Sequence, residues 1–166
     1  MRYRIILSYD GSSFCGWQIQ NQAETVQECL QNALSTLLKE NIAVTGAGRT
    51  DSKVNAINYV AHFETSNPDI DASAVGYKIN AILPAGIKVH SVERCEPDFH
   101  ARFDATQREY KYFLHRRRDP FMREYSYLYT FPLDVGKMNR AAQALLGKHD
   151  FSCFEKVGSD NKTSIC

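Results

Sequence analysis

The chain has 166 residues, of which 43% are hydrophobic and 23% are charged, and its formal net charge is +1. This balance is typical of a globular protein with one ordinary domain or two small ones, and it argues against wholesale disorder. No apolar run approaches the roughly 18 residues of a transmembrane helix, and the N-terminus lacks the features of a signal peptide. We therefore expect a cytoplasmic protein with no membrane partner.

The first half of the chain is predicted to interleave strands with helices. Alternating residues predict a strand over 3–9, which ends at the turn formed by Asp10 and Gly11. Apolar residues at helical spacing predict a helix over 25–40, and Thr25 with Glu28 forms a capping box at its start. Further strands are predicted at 42–45, 57–64 (with Ile57, Tyr59, Ala61 and Phe63 on one face) and 87–93, and a second helix at about 72–83.

The second half begins with two aromatic, β-prone segments at 108–115 and 125–131, followed by a helix that Asp134 caps and Gly147 ends. This order indicates an α+β fold, and the first six elements resemble a ferredoxin-type split βαβ unit. We therefore predict ferredoxin-like (RRM-like) antiparallel sheets with helices on one face. The predicted domains are 1–98 and 99–166, the second truncated because residues 163–166 resemble a strand cut short.

Cysteines and basic residues leave more than one interpretation open. The cysteines form no Cys-x-x-Cys pair, so we predict no metal site and reduced thiols, although a catalytic cysteine stays possible. Between residues 101 and 118, six basic residues accompany two acidic ones. Such an excess fits a solvated strand face or a phosphate-binding surface. The cysteines are Cys15, Cys29, Cys95, Cys153 and Cys166, and the basic residues are Arg102, Arg108, Lys111, Arg116, Arg117 and Arg118.

The segment 46–56 carries the most specific chemical pattern. Its glycines, Gly46 and Gly48, could cradle a phosphate, but the Gly-Lys-Ser/Thr of a Walker loop is absent and a dinucleotide fingerprint needs glycine where Asp51 stands. Arg49 and Asp51 share one face of an extended backbone, so the guanidinium can keep the carboxylate ionised as a nucleophile or general base. A surface ion pair beside a turn is the alternative.

Five segments, in order along the chain, resemble the TruA family of tRNA pseudouridine synthases. Together they cover nearly the whole chain and are far more specific than any one of them. They are Tyr9-Asp10-Gly11 through Gln20, Thr25-Val26-Gln27-Glu28, Gly48-Arg49-Thr50-Asp51, Phe99-His100-Ala101-Arg102-Phe103 with Arg108-x-Tyr110-x-Tyr112, and Gly147-x-His149-Asp150-Phe151.

The resemblance implies the pseudouridine synthase fold and an isomerase that needs no cofactor or metal. Its substrate would be uridine in the anticodon stem-loop of tRNA, and its assembly a homodimer whose C-terminal parts complete the active site, so that a fragment would be inactive. Asp51 would be the buried catalytic acid, with Arg49 paired to it and Tyr110 stacked on the flipped uracil. The remaining RNA-binding candidates are Arg102, Arg108, Arg116 and Arg117.

Several residues keep a second interpretation. Trp17 and Tyr112 are predicted to pack in the core rather than stack on bases, and His100 fits either a core or a contact role. Two residues depart from the family pattern: Lys53 stands for glycine, whose backbone angles lysine does not favour, so that a change in the turn is expected, and Asn55 stands for histidine but can still donate a hydrogen bond. These departures leave open a catalytically weakened RNA-binding module of the same fold. A nucleotide-binding protein is the second alternative.

Overall fold

The chain, in a computed structural model, is described at residues 1–154 and 163–165. It divides into two compact units, Met1–Lys111 and Tyr112–Cys166. The domain boundary between residues 98 and 99 stays a prediction.

The first unit is built on a four-stranded antiparallel sheet. Its strands are β1 (Arg2–Tyr9), β2 (Val44–Gly46), β3 (Ala56–Glu64) and β4 (Ile87–Arg94). They lie in the order β2-β3-β1-β4, with β1 antiparallel to both β3 and β4 and β2 at one edge. Helix α1 (Val26–Leu38) connects β1 to β2, and helix α2 (Ala72–Ile79) connects β3 to β4. The predicted mixture of helices with an antiparallel sheet is confirmed in this unit.

Strand β1 and helix α1 form the core because each has one apolar face. Every second residue of β1 from Tyr3 to Tyr9 is buried, and so are Val26, Leu30, Ala33 and Leu34 of α1. Burial of each large aliphatic side chain stabilises the fold by roughly 1.5–3 kcal/mol. Thr25 caps α1 as predicted, since its Oγ1 accepts a hydrogen bond from the N–H of Glu28 (3.4 Å).

Helix α2 ends four residues earlier than predicted because the side chain of Asn80 is bound to β4. The Oδ1 of Asn80 accepts a hydrogen bond from the N–H of Val89 (2.9 Å), and its Nδ2 donates to the carbonyls of Val89 (3.0 Å) and Gly76 (2.8 Å). The amide thus joins the C-terminus of the helix to the neighbouring strand.

Asn58 interrupts the predicted alternation of β3. Its φ of +54° lies in the left-handed region, which asparagine tolerates better than most residues. The register shifts there, so that Leu7 pairs with Tyr59 but Tyr9 pairs with Ala56. Ile57 is consequently 84% exposed, whereas Ala61 and Phe63 are buried, so its predicted place on one face with them is wrong.

The second unit contains β5 (Leu114–His115), β6 (Tyr127–Leu128) and α3 (Val135–Ala142). The two strands are shorter than predicted and parallel, whereas antiparallel sheets were predicted. A β-prone segment becomes a strand only where a partner supplies backbone hydrogen bonds, and here Tyr127 and Tyr129 donate to Phe113 and His115.

The ends of the second unit agree only partly with the sequence predictions. Asp134 caps α3 as predicted, its Oδ1 accepting a hydrogen bond from the N–H of Lys137 (2.9 Å), but the helix stops at Ala142, before Gly147. Of the strand predicted at 163–166, Ile165 forms an isolated bridge with Asp150, and residue 166 lies outside the described residues. Across residues 1–154 and 163–165, no helix is both long and apolar enough to cross a membrane.

Candidate active site

Asp51 lies in the loop of residues 47–55, which we call the Asp51 loop, between edge strand β2 and β3. The N–H of Ala47 donates to the carbonyl of Val60 (2.8 Å), which continues the sheet ladder into the loop. The N–H of Val54 donates to the carbonyl of Asp51 (3.2 Å) and closes a turn. The side chain of Asp51 is exposed, so the expectation of a buried acid is wrong. A charged group in a loop beyond an edge strand avoids the large cost of desolvation.

The Asp51 loop packs against residues 10–17, which we call the opening segment. The N–H of Trp17 donates to the carbonyl of Thr50 (3.0 Å), and the carbonyl of Phe14 accepts hydrogen bonds from Ser52 Oγ (3.3 Å) and from the N–H of Lys53 (3.4 Å). A Cβ on Gly16 would approach the backbone of residues 50–52 too closely. The backbone is therefore fixed on both sides of Asp51.

The two departures from the family pattern lie where the opening segment meets the end of the Asp51 loop. The Oδ1 of Asn55 accepts a hydrogen bond from the N–H of Gly11 (2.7 Å), so its amide serves here as an acceptor. A Cβ on Gly11 would overlap the carbonyl of Val54. Lys53 adopts a φ of +67°, the left-handed conformation that favours glycine. The turn therefore keeps a glycine-like backbone shape, and lysine bears the steric cost.

Three aromatic rings pack together at the start of the Asp51 loop. The ring of Tyr59 lies 4.4 Å from that of Trp17 and 5.7 Å from that of Tyr9, between centroids. The hydroxyl of Tyr9 is hydrogen-bonded to Thr50 Oγ1 (2.8 Å), whereas the hydroxyl of Tyr59 donates to the carbonyl of Gly48 and accepts from its N–H (3.1 Å). Trp17 is 3% exposed, which confirms its predicted packing role. Sequence reasoning missed Tyr59.

Burial raises the pKa of both tyrosine hydroxyls above a value that already keeps them protonated at neutral pH. Desolvation raises the pKa of Tyr9, and the same cause raises the pKa of Tyr59 more strongly. Tyr110 and Tyr9 add to the rise at Tyr59, while Arg108 opposes it, so these side chains lie near the base of the Asp51 loop. At neutral pH each hydroxyl can both donate and accept a hydrogen bond.

Arg108 contacts the backbone of the Asp51 loop. Its Nη2 donates to the carbonyls of Ala47 (2.8 Å) and Arg102 (2.8 Å), which connects the loop to the segment around residue 102. The guanidinium carbon of Arg102 lies 5.9 Å from the centre of the Phe103 ring. The structure thus gives Arg108 a structural contact in addition to its predicted role in RNA binding, which stays a prediction.

The other candidates differ in their surroundings. Arg49 is exposed on the Asp51 loop, and Tyr110 is 79% exposed. Pairing of Arg49 with Asp51 and stacking of Tyr110 on a base stay predictions.

Three candidates belong to the second unit. Arg116 and Arg117 are exposed there. Tyr112 is 78% exposed, with its ring 6.4 Å from that of Tyr127. Its predicted place in the core is wrong because the described part of the second unit buries no residue around it.

The segment 99–104 packs on the first sheet through two histidines. The Nδ1 of His62 accepts a hydrogen bond from the N–H of Ala101 (3.2 Å), and the ring centroids of His62 and His100 lie 5.0 Å apart. The Nδ1 of His100 accepts from the N–H groups of Arg102 (3.2 Å) and Phe103 (3.4 Å). Burial lowers the pKa of His62, and His100 adds to this effect. His100 therefore has a structural role in its own turn.

Nucleotide, metal and cysteine chemistry find little support at these positions. The N–H of Gly48 is bound by Tyr59, and a Cβ on Gly46 would overlap Tyr59 and Trp17, so neither glycine offers a phosphate cradle. Among the residues that the structure describes, no group of three or more His, Cys, Asp or Glu side chains can hold a metal ion. Burial and Glu24 raise the pKa of Cys29 to about 12, which disfavours it as a nucleophile.

Comparison with known proteins points to one family. The family model for tRNA pseudouridine synthase matches residues 5–104, which include the Asp51 loop and the opening segment. The tRNA pseudouridine synthase A of Bacteroides fragilis is 48% identical over 99% of the chain and 66% of its own length. The corresponding values are 47%, 99% and 61% for that of Bacteroides thetaiotaomicron, and 41%, 99% and 64% for that of Colwellia psychrerythraea. The chain thus spans about two thirds of the length of these curated relatives.

Proposed function

The chain belongs to the tRNA pseudouridine synthase family, and we therefore propose that its full-length gene product isomerises uridine to pseudouridine in tRNA, with Asp51 as the catalytic carboxylate. The anticodon stem-loop is the proposed target. One observation carries the proposal: the backbone on both sides of Asp51 is fixed by the opening segment, while the carboxylate itself is exposed.

An exposed carboxylate on a fixed backbone suits a polynucleotide substrate. The target uridine leaves its stack to reach the enzyme, which costs a few kcal/mol. Asp51 then attacks the anomeric carbon of the ribose or removes a ribose proton. In the first route the carboxylate displaces N1, the uracil rotates, and its C5 then displaces the carboxylate from the ribose. In the second route the ribose loses its proton as the bond to N1 breaks and regains it once C5 has bonded to the ribose. In either route C5 loses its proton and N1 gains one, so the product is an isomer of uridine.

The proposed RNA contacts are basic and aromatic residues of both units. Arg49 lies in the loop itself, and Tyr110 is exposed close to Tyr59, where its ring is available to stack on the flipped base. Arg102, Arg108, Arg116 and Arg117 supply positive charge for phosphates, which position the RNA without reading its sequence.

The finer architecture is also proposed. The element order strand-helix-strand-strand-helix-strand and the sheet order β2-β3-β1-β4 support a ferredoxin-like first domain. A first domain over residues 1–98 and a second from residue 99 are proposed on the element order. A homodimer in the cytoplasm is proposed on the family resemblance.

The test is release of tritium from tRNA labelled at uracil C5, measured with the full-length gene product. Asp51→Ala and Asp51→Asn are expected to abolish release without loss of tRNA binding. Asp69→Asn, which changes an exposed aspartate between β3 and α2 in the same unit, is the matched control and is expected to keep the parental rate. Parental release by Asp51→Ala would refute the role of Asp51. Binding without any release by the parent would favour the RNA-binding module.

A further inference from the structure

Tyr59 contacts both backbone polar groups of one residue in the Asp51 loop. Its hydroxyl accepts a hydrogen bond from the N–H of Gly48 (3.1 Å) and donates one to the carbonyl of the same residue. Gly48 is three residues before Asp51, and Trp17 and Tyr9 are both hydrogen-bonded to Thr50. Hydrogen bonds therefore fix the backbone at Gly48 and at Thr50, and Asp51 is the next residue in the chain.

The ring of Tyr59 is itself confined. It lies against Trp17 and Tyr9, and the space beside it is closed by Gly46, where a Cβ would overlap the Tyr59 hydroxyl. The irregularity at Asn58 sets its direction, because the left-handed backbone there lets Tyr59 pair with Leu7 while Ile57 turns to solvent. The hydroxyl therefore reaches Gly48 from a rigid base.

The chemistry of the contact requires a neutral hydroxyl. A phenol can accept and donate at once, whereas phenylalanine can do neither and a phenolate cannot donate. The hydroxyl of tyrosine is protonated at neutral pH, and burial raises the pKa of Tyr59 further. Both backbone groups of Gly48 thus have a partner at neutral pH.

We propose that Tyr59 is a positioning residue for pseudouridine formation, which fixes the start of the Asp51 loop through Gly48 and so sets the direction of the Asp51 carboxylate. The inference rests on the proposed function. Tyr59 acts through the backbone and does not touch the reacting atoms. Because catalysis depends on reacting atoms being held within fractions of an ångström, its hydroxyl affects the rate of the chemical step rather than tRNA binding.

The experiment compares Tyr59→Phe with Tyr3→Phe in the full-length gene product. Tyr3 is the control because it is a tyrosine of the same sheet, buried (3% exposed) and stacked on Phe63 at 5.5 Å, and it belongs to β1 rather than to the loop contacts, whereas Tyr59 is partly buried. Tyr59→Phe is expected to lower kcat about tenfold or more, with KM for tRNA within about twofold of the parent. It is also expected to speed hydrogen exchange at the Gly48 amide. Tyr3→Phe is expected to leave all three values at those of the parent.

The two readouts separate the inference from the proposed function. Equal kcat in the two variants, or a change confined to KM, overturns the positioning role even if Asp51→Ala is inactive and the proposed function stands. If the parent forms no pseudouridine, the proposed function fails, and exchange at Gly48 decides the loop contact alone. Unchanged hydrogen exchange at the Gly48 amide in Tyr59→Phe then overturns the proposed contact between Tyr59 and the loop, and faster exchange supports that contact.

Discussion

Replacing Asn55 by alanine removes the acceptor for the N–H of Gly11. Gly11 is buried, and its backbone lies so close to the carbonyl of Val54 that even a Cβ would not fit. A buried donor without a partner costs about 1–3 kcal/mol. Asn55 is itself exposed, so its truncation forfeits little apolar burial. We expect the free energy of unfolding to fall by about 2 kcal/mol, which lowers Tm by about 4–8 °C for a chain of this size.

Thermal unfolding followed by the fluorescence of Trp17 measures this change. Trp17 is the only tryptophan in the chain and is buried in the same unit. Asn21→Ala, at an exposed turn of that unit, is the matched control and is expected to stay within about 0.5 kcal/mol of the parent. Asn55→Asp keeps an acceptor oxygen and is expected to recover most of the loss. The reasoning is refuted if Asn55→Ala unfolds at the same temperature as Asn21→Ala.

Two further predictions concern strain and pH. The free energy of unfolding should be about 1 kcal/mol higher for Lys53→Gly than for Lys53→Ala, because glycine adopts a φ of +67° without steric cost. Both variants lose the charge, so the difference reports the backbone alone. Equal Tm values would contradict this. Burial and His100 lower the pKa of His62, so the unfolded chain takes up a proton at about pH 6.5 that the folded chain does not. Stability should be intact above about that pH and should fall as the pH is lowered toward the folded-state value. Urea unfolding at several pH values checks this, and an unchanged pH dependence in His62→Asn would count against it.

Sequence patterns within a few residues were sufficient to predict β1, α1 and the cap of α1. The alternation of β1 and the apolar face of α1 were sufficient, because each element buries one side in the core, and Thr25 caps the helix through a residue only three positions away. The position of Asp51 in a loop after β2 was likewise predictable from its glycines and from the family resemblance.

Contacts between distant residues were not predictable in the same way. Asn55 and Gly11 are 44 positions apart, and nothing in either neighbourhood indicates that one accepts from the other. Alternation placed Tyr59 on the same strand face as Ala61 and Phe63, but its hydrogen bonds to Gly48 depend on the register that Asn58 sets. The exposure of Asp51 depends on tertiary packing as well, which residue spacing alone does not encode.

The exposure of Asp51 changes the physical account of how the loop presents its acid. A buried carboxylate kept ionised by a guanidinium was expected, but Asp51 is exposed, and hydrogen bonds at Gly48, Thr50 and Lys53 fix the backbone around it. Strain is tolerated where surrounding contacts determine the conformation, which explains why Lys53 keeps a glycine-like φ two residues from Asp51. A loop fixed through its backbone leaves Asp51 exposed in the first unit, as the proposed reaction on a flipped base requires.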